Sequence, residues 1–386
     1  MKGVSKIIRC IFISILFVLV LIIPVFAEEG DVVQQTQEEL ESELEASIVS
    51  DLEGDIPEAA EDLLGKNGMD GFDTEAISSF NFMDILTSAF DFSADYFTAP
   101  FRLFTILIGI FLLIALLNAI HPPESGMLTA QNIIGISALM IVLSSPVIEC
   151  VNRAVTAITD CSQFILSFIP VFTSVVAAAG KPISSMAYST FLFGTVQVIS
   201  QISATILTPL LCVYLAICIV GALNPTLKLD SVAETIKKAV IWVIGLLLTI
   251  FVALLSVQSL VSGSADTVAT KTTKFFIGSL IPVFGNALSD VFSSVQGCLG
   301  FVKQATGSFG IIVAICTFLP IIIEILVMML VVNLSQMVGN ILGIDRLARL
   351  LKSVSSMLSL LLGLILCFAV MIILSTTIIM LLSMGI

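Results

Sequence analysis

Long apolar runs separated by short polar stretches dominate this sequence from residue 102 onward. Six runs are long enough to cross a membrane as α-helices, which takes roughly 20 mainly apolar residues. They are Arg102–Ile120, Ile133–Val151, Phe191–Leu223, Val240–Val261, Phe309–Val332 and Leu358–Leu382. Together with two further apolar segments, they predict an all-α polytopic integral membrane protein with about 6–8 transmembrane helices.

The run Phe191–Leu223 is longer than one upright helix needs. At a rise of 1.5 Å per residue, it would extend well beyond a hydrocarbon core of about 30 Å. Two structures fit this length: a tilted helix kinked at Pro209, or a tight helical hairpin. The sequence leaves both open.

The two further apolar segments, Phe164–Ala179 and Phe275–Leu299, share an I-P-V-F element, and the two copies lie 112 positions apart. Proline removes a backbone donor, so each segment is predicted to interrupt a helix and to form a re-entrant-like element. The common offset predicts an internal repeat with units of about 133–223 and 245–335. Internal repeats recur in membrane transport folds, although apolar sequences can also match by chance.

The stretch Lys271–Gly300 combines the second I-P-V-F element with polar residues in an apolar setting. Proline and glycine weaken helical continuity there, and an aspartate follows them. The two lysines are predicted to flank the segment at the outer face, where they either snorkel to the membrane surface or line a vestibule. The candidate pore or subunit-contact residues of this stretch are Lys271, Lys274, Pro282, Gly285 and Asp290.

Lysine and arginine are concentrated in two short segments between predicted spans, Asn224–Ala239 and Asn333–Met357. Short basic loops stay on the cytoplasmic side of a membrane, so both segments are predicted to be cytoplasmic. This requires the I-P-V-F segments to dip into the membrane from the outer face without crossing it. If both segments crossed, the second basic loop would lie outside and the repeat units would have inverted topology. The charge rule favours the dipping arrangement.

Composition supports the membrane class. Apolar residues make up 58% of the chain and charged residues only 12%, against roughly a quarter charged in a soluble domain. The net charge of −13 is concentrated in one segment, because seventeen of the 29 acidic residues lie between Glu28 and Glu75, with Lys66 as the single base. The rest of the chain is nearly balanced and is not basic enough to bind nucleic acid.

The N-terminus has the three parts of a secretory signal peptide. Basic residues precede an apolar core, Ile11–Ile23, and Val25 and Ala27 provide small residues at the −3 and −1 positions of a cleavage site. Cleavage between Ala27 and Glu28 is therefore predicted, so that residues 1–27 are removed. The alternative is an uncleaved signal anchor.

Residues 28–100 are predicted to form an acidic extracytoplasmic region ahead of a membrane domain, residues 101–386. Apolar residues recur at every fourth position from Leu40 to Ile56, which suits weakly amphipathic helices that dock on a partner. Like-charge repulsion equally favours a solvated leader. The aromatic residues from Ile77 to Phe101 predict an interfacial helix leading into the first span.

The sequence contains no recognisable catalytic or cofactor motif. The seven cysteines beyond the signal peptide form no C-x-x-C pair, the single histidine, His121, has no companion, and a P-loop is absent. Such patterns would be needed for a metal site, a Cys–His nucleophile or bound nucleotide. No catalytic, cofactor-binding or metal-binding residue is predicted, and the chain is not expected to be an enzyme.

Glu149 and Glu324 are acids in or beside apolar runs. A carboxylate inside a membrane is unfavourable unless it is paired or hydrated, so both residues are candidates for a pore or a subunit contact. Glu324 is the sharper case, because no cation lies near it in the sequence. It takes part in conduction, pairs structurally with a partner subunit, or lies closer to the end of its span than the hydropathy suggests.

Val240–Val261 reads VIWVIGLLLTIFVALLSVQSLV, and Asp266–Phe292 reads DTVATKTTKFFIGSLIPVFGNALSDVF. The S-V-Q followed by T-x-K-F-x-x-G-x-x-I-P-V-x-G resembles the stage III sporulation protein AE family of endospore-forming bacteria, and a weaker likeness covers about Phe101–Ile386. The resemblance implies a multi-pass subunit of the stage III A assembly in the mother-cell membrane around the forespore. Its implied partners are other stage III A membrane proteins, a separate ATPase subunit and, through the complex, a forespore membrane protein. It implies no catalytic residue in this chain.

Three functions are therefore compared. The first is a membrane subunit of an intercellular channel or secretion-like apparatus that supports endospore formation. The second is a stand-alone secondary transporter in which Glu324 and Asp290 couple ions or protons to a solute, since repeats and broken helices fit both. The third is a membrane scaffold without a pore.

Overall fold

The computed structural model describes residues 55–66, 82–120, 127–224, 229–280 and 285–382, together with Ile77 and Leu227. These residues contain eight α-helices and one π-helical turn. In chain order they are α1 (Glu58–Lys66), α2 (Phe82–Ile120), α3 (Met127–Ala178), α4 (Pro182–Ile202), the π-helical turn (Ser203–Leu207), α5 (Thr208–Leu223), α6 (Asp230–Leu280), α7 (Gly285–Ile341) and α8 (Asp345–Leu382). Six helical paths are long and apolar enough to cross a membrane, with α4 and α5 forming one of them. The predicted all-α polytopic class is confirmed.

The centre of the bundle is the α7–α8 hairpin. In their most apolar stretches, 83% of the α8 residues and 61% of the α7 residues are buried, against 17% to 33% in the other four crossing paths. The outer helices expose large apolar side chains, such as Ile141 at 75% and Trp242 at 66%. Such a distribution suits a bundle whose periphery contacts lipid, where an apolar surface is not penalised.

Helix α3 passes through the first I-P-V-F element without a break, which differs from the predicted re-entrant segment at Phe164–Ala179. The polar residues before this segment also lie in α3, where their hydroxyl groups are satisfied by carbonyls of the preceding turn. Thr159 donates to the Val155 carbonyl at 2.9 Å and Ser162 to the Ile158 carbonyl at 2.6 Å. Pro170 lies inside the helix, where packing against neighbouring helices compensates for one missing donor.

The second I-P-V-F element falls between two described helices. Helix α6 ends at Leu280 and α7 begins at Gly285, and residues 281–284 lie outside the described residues. A re-entrant segment at Phe275–Leu299 therefore stays a prediction.

The path from Pro182 to Leu223 is helical throughout, which excludes the hairpin alternative for this long run. The π-helical turn widens the path at its middle: the Thr208 N–H and hydroxyl both donate to the Ser203 carbonyl, the hydroxyl at 2.9 Å. Pro209 follows directly and has no N–H to donate. Because Pro209 cannot form the usual α-helical hydrogen bond to the residue four positions earlier, the α-helical pattern is interrupted at the place where the π-helical turn forms.

The two basic segments lie at the same end of the bundle. Lys237 donates from Nζ to the Ser356 hydroxyl at 3.3 Å, which places the start of α6 beside the start of α8. The non-crossing arrangement requires such a shared end, and the first I-P-V-F element lies within the crossing helix α3. The second element lies outside the described residues, so the arrangement stays a prediction. The opposite end, where α3 turns into α4 around Gly180, is referred to below as the distal end.

Helix α1 packs on the bundle through its apolar face. Ala60, Leu63 and Leu64 are 0% to 1% exposed, and α1 contacts α7 and α2. The acidic residues Glu58 and Glu61 lie in its first turn, where the helix dipole favours negative charge. The predicted amphipathic stretch from Leu40 to Ile56 precedes α1 and lies outside the described residues up to position 54, so its docking stays a prediction.

A ladder of aromatic rings joins α3 to α7. Phe164, Phe168 and Phe172 are stacked with centroid separations of 5.6 and 5.3 Å, and Phe309 meets Phe164 edge-on at 6.4 Å. Gly310 allows this approach, since a Cβ there would lie 2.6 Å from the Phe168 ring. Close helix contact through a small residue is typical of membrane bundles.

Gly310→Ala is expected to lower the free energy of unfolding by about 1–3 kcal/mol, because the Phe168 ring must move within a packed core. Gly363→Ala is the matched control in α8, since a Cβ there would meet nothing within 4 Å. It should raise stability by about 0.5–1 kcal/mol through helix propensity alone. Unfolding by SDS titration in mixed micelles measures both. Equal effects at the two positions would contradict the close contact.

Candidate functional site

Glu324 is paired with a cation that lies 171 positions away in the sequence. Nη1 of Arg153 on α3 is 3.1 Å from Oε2 of Glu324 on α7, and their side chains are 42% and 14% exposed. The Cys150 thiol, one turn earlier on α3, lies 3.8 Å from Oε1. Glu324 is therefore paired within its own chain, and a role in a pore or subunit contact stays a prediction.

Glu149 lies one turn before Arg153 on the same face of α3 and is exposed. Its Oε1 accepts a hydrogen bond from the Ser145 hydroxyl at 3.2 Å. Of the two predicted acids, Glu324 forms the ion pair with Arg153, and Glu149 lies nearby on α3. The Arg153–Glu324 pair can hold α3 against α7 by charge, and an arginine is suited to this role because its planar fork keeps its charge when partly buried.

Arg153 was not among the predicted residues. Its partner lies in another part of the chain, and no local spacing relates the two. The one available signal was an arginine inside an otherwise apolar helical run, which calls for an acid elsewhere in the bundle.

A second polar contact joins α6 to the start of α4. Asp266 is 0% exposed, and its two carboxylate oxygens accept the backbone N–H groups of Ile183 at 2.9 Å and Ser184 at 2.8 Å. The first N–H groups of a helix have no partner within the helix, and the helix dipole favours a negative charge beside them. Asp266 therefore caps α4 from a neighbouring helix.

The sequence analysis did not single out Asp266 either. The bonded residues are 82 and 83 positions away, so local pattern does not link them. The start of α4 did carry a signal in the sequence. Its N-cap residue is Lys181, which makes no side-chain hydrogen bond, and its first helical residue is Pro182. A helix start without a serine, threonine, aspartate or asparagine cap needs an acceptor from elsewhere.

The other predicted site residues lie apart from the Arg153 group. Lys271 is exposed on α6, Lys274 also belongs to α6, and Gly285 and Asp290 belong to the first turns of α7. Pro282 and the cleavage-site residues Ala27 and Glu28 lie outside the described residues. A pore or subunit contact for these residues remains a prediction. Within the described ranges, no group of three or more histidine, cysteine, aspartate or glutamate side chains is placed to hold a metal ion.

Comparison with known proteins gives one family. The family profile described as "Stage III sporulation protein AE" matches residues 71–383. The stage III sporulation protein AE of Bacillus subtilis (strain 168) is 26% identical over 166 residues, which is 43% of this chain and 42% of that protein. The aligned part thus covers less than half of that relative. No solved structure matches the chain.

Proposed function

This chain belongs to the stage III sporulation protein AE family, and from that premise we propose that it is a membrane subunit of the stage III A sporulation channel or secretion-like complex. The complex lies in the mother-cell membrane around the forespore and supports forespore development and endospore formation. The observation that carries the proposal is the extent of the family match. Residues 71–383 include every helix from α2 to α8, and so all six paths that are suited to crossing a membrane.

The proposed partners are other stage III A membrane proteins, a separate ATPase subunit and, through the complex, a forespore membrane protein. The chain itself is proposed to have no enzymatic role. Three charged residues of the bundle support this division of labour, because Arg153, Glu324 and Asp266 each bond to another helix of the same chain. These residues hold the bundle together and leave energy supply to another subunit.

Affinity purification of the tagged full-length chain from sporulating cells tests this function. We expect other membrane proteins and an ATPase to be recovered with it, and an unrelated tagged polytopic protein from the same cells to recover none of them. Recovery of the chain alone, together with solute uptake when it is reconstituted in liposomes, would contradict the proposal and support the stand-alone transporter.

Within this function, the segment Lys271–Gly300 is proposed to form the pore or contact another subunit. Its sequence carries two lysines, a proline and an aspartate where a buried helix would be apolar. The double variant Pro282→Ala, Asp290→Asn is expected to reduce spore formation while the protein accumulates normally in the membrane. Normal spore counts at normal protein levels would mean that the segment serves only in packing.

A further inference from the structure

The outward face of α3 is polar over a long stretch in the middle of the bundle. Five exposed polar residues follow one another there at intervals of three, four or seven positions, which places them on one face of the helix. They are Ser145, Glu149, Asn152, Thr156 and Gln163. Among the described residues of α3 beyond Ile148, no leucine, isoleucine, valine, methionine or phenylalanine is exposed. These five residues form the polar face of α3.

The first part of the polar face lies at a depth where the neighbouring helix α7 exposes leucines. The two helices run in opposite directions, as the aromatic ladder and the Arg153–Glu324 pair show. Glu149, one turn before Arg153, is therefore level with the turn of α7 that follows Glu324. On that turn and next to it, Leu326 and Leu330 are 49% and 54% exposed. Exposed leucines suit contact with lipid, so the polar face begins at the depth of the bilayer.

The last part of the polar face is level with exposed apolar residues of α6. Both helices run toward the distal end, where Asp266 of α6 caps α4, which begins four residues after the end of α3 at Ala178. Gln163 lies 15 residues before Ala178, and Ile250 lies 16 residues before Asp266. The two are therefore level to within about one turn. Ile250 is 47% exposed, and Leu254 on the next turn is 54% exposed.

Lipid is an unfavourable neighbour for the polar face of α3. A carboxylate in hydrocarbon needs a counter-charge or water, and the Ser145 hydroxyl, which donates to Glu149 at 3.2 Å, carries no charge. The guanidinium of Arg153 is paired with Glu324, and the Arg153 side chain is still 42% exposed. A dry contact with another protein has to provide a directed partner for each of these groups. Water hydrates all of them.

We propose that the polar face of α3 lines the water-filled passage of the complex, while the exposed apolar sides of α6 and α7 contact lipid. The inference rests on the proposed channel function and deepens it, because it identifies a wall of the channel. Hydroxyl, amide and carboxylate groups follow this wall for about 27 Å at the rise of an α-helix. Such groups exchange hydrogen bonds with water, so the wall suits hydrated polar solutes.

Thiol labelling in membranes from sporulating cells tests the contact with water. The variants Thr156→Cys and Gln163→Cys are made in the full-length chain, with the exposed Cys212 changed to serine, and are treated with a charged, lipid-insoluble methanethiosulfonate reagent. The thiolate is the reactive species, and hydrocarbon disfavours it. Both positions should therefore react at least about tenfold faster than Ile250→Cys and Leu254→Cys, the matched positions on α6. Equal rates at all four positions, whether fast or slow, would overturn the proposal.

A blocking substitution tests whether the hydrated face serves passage. Thr156→Trp places an indole ring on the polar face and is expected to reduce spore counts several-fold while the protein accumulates normally in the membrane. Ile250→Trp adds the same ring on the lipid side, where an apolar surface is not penalised, and should leave spore counts unchanged. Normal spore counts for Thr156→Trp at normal protein levels would contradict a role in passage. Failure of the proposed complex is recognised separately, because the chain would then be purified alone whatever its labelling pattern.

Discussion

Arg153→Leu is expected to lower the free energy of unfolding by about 2–4 kcal/mol. The substitution leaves Glu324, whose side chain is only 14% exposed, without the guanidinium 3.1 Å away. Removing one partner of a buried ion pair typically has an effect of about 3–5 kcal/mol, and the smaller value here reflects the partial exposure of Arg153. Reversible unfolding in SDS mixed micelles provides the measurement.

The exchange variant Arg153→Glu, Glu324→Arg is the decisive control for this pair. It restores opposite charges between α3 and α7, and should recover at least half of the stability lost in Arg153→Leu. At the exposed pair of Lys238 and Glu234, whose side chains are 74% and 57% exposed, Glu234→Gln should change stability by less than about 0.5 kcal/mol. If Arg153→Leu has no larger effect than Glu234→Gln, the ion pair does not hold α3 to α7.

Asp266→Ala is expected to have the second large effect, a decrease of about 2–4 kcal/mol in the free energy of unfolding. The substitution leaves the N–H groups of Ile183 and Ser184 without an acceptor in a buried position and removes a negative charge from the start of α4. Asp266→Asn should lose about half as much, since its amide keeps one acceptor oxygen. Unfolding measurements give the size of the effect, and hydrogen exchange at these two amides gives its location.

Asp230→Ala is the matched control for Asp266. Asp230 is an exposed acid in the first turn of its own helix, α6, where its contribution through the helix dipole is about 0.3–1 kcal/mol. Faster amide exchange at Ile183 and Ser184 is expected in the Asp266 variants and not in Asp230→Ala. Unchanged exchange in Asp266→Ala would show that the carboxylate does not cap α4.

Both contacts connect the same two parts of the chain. Arg153 belongs to the first predicted repeat unit and Glu324 to the second, and Asp266 of the second unit caps a helix of the first. In an apolar environment, association between helices cannot depend on the hydrophobic effect, so polar contacts and close packing become its main sources. Any rearrangement of the two parts relative to each other must keep or exchange these two contacts.

The sequence alone determined the class of this protein and its gross layout. Hydropathy and length identified the six crossing paths, because lipid requires every span to satisfy its own backbone, and this leaves a local signature. Charge placed both basic segments on one side for an equally local reason. The motif around the second I-P-V-F element identified the family.

Only the tertiary structure decided what the polar residues do and where the helices end. Glu324 looked unpaired because its partner is 171 positions away, and Asp266 was overlooked because the groups it caps lie on another helix. Helix α3 continues through Pro170, although the sequence predicted an interruption there. A missing donor or an isolated charge is visible in the sequence, but the group that compensates for it comes from a helix that only the fold brings close.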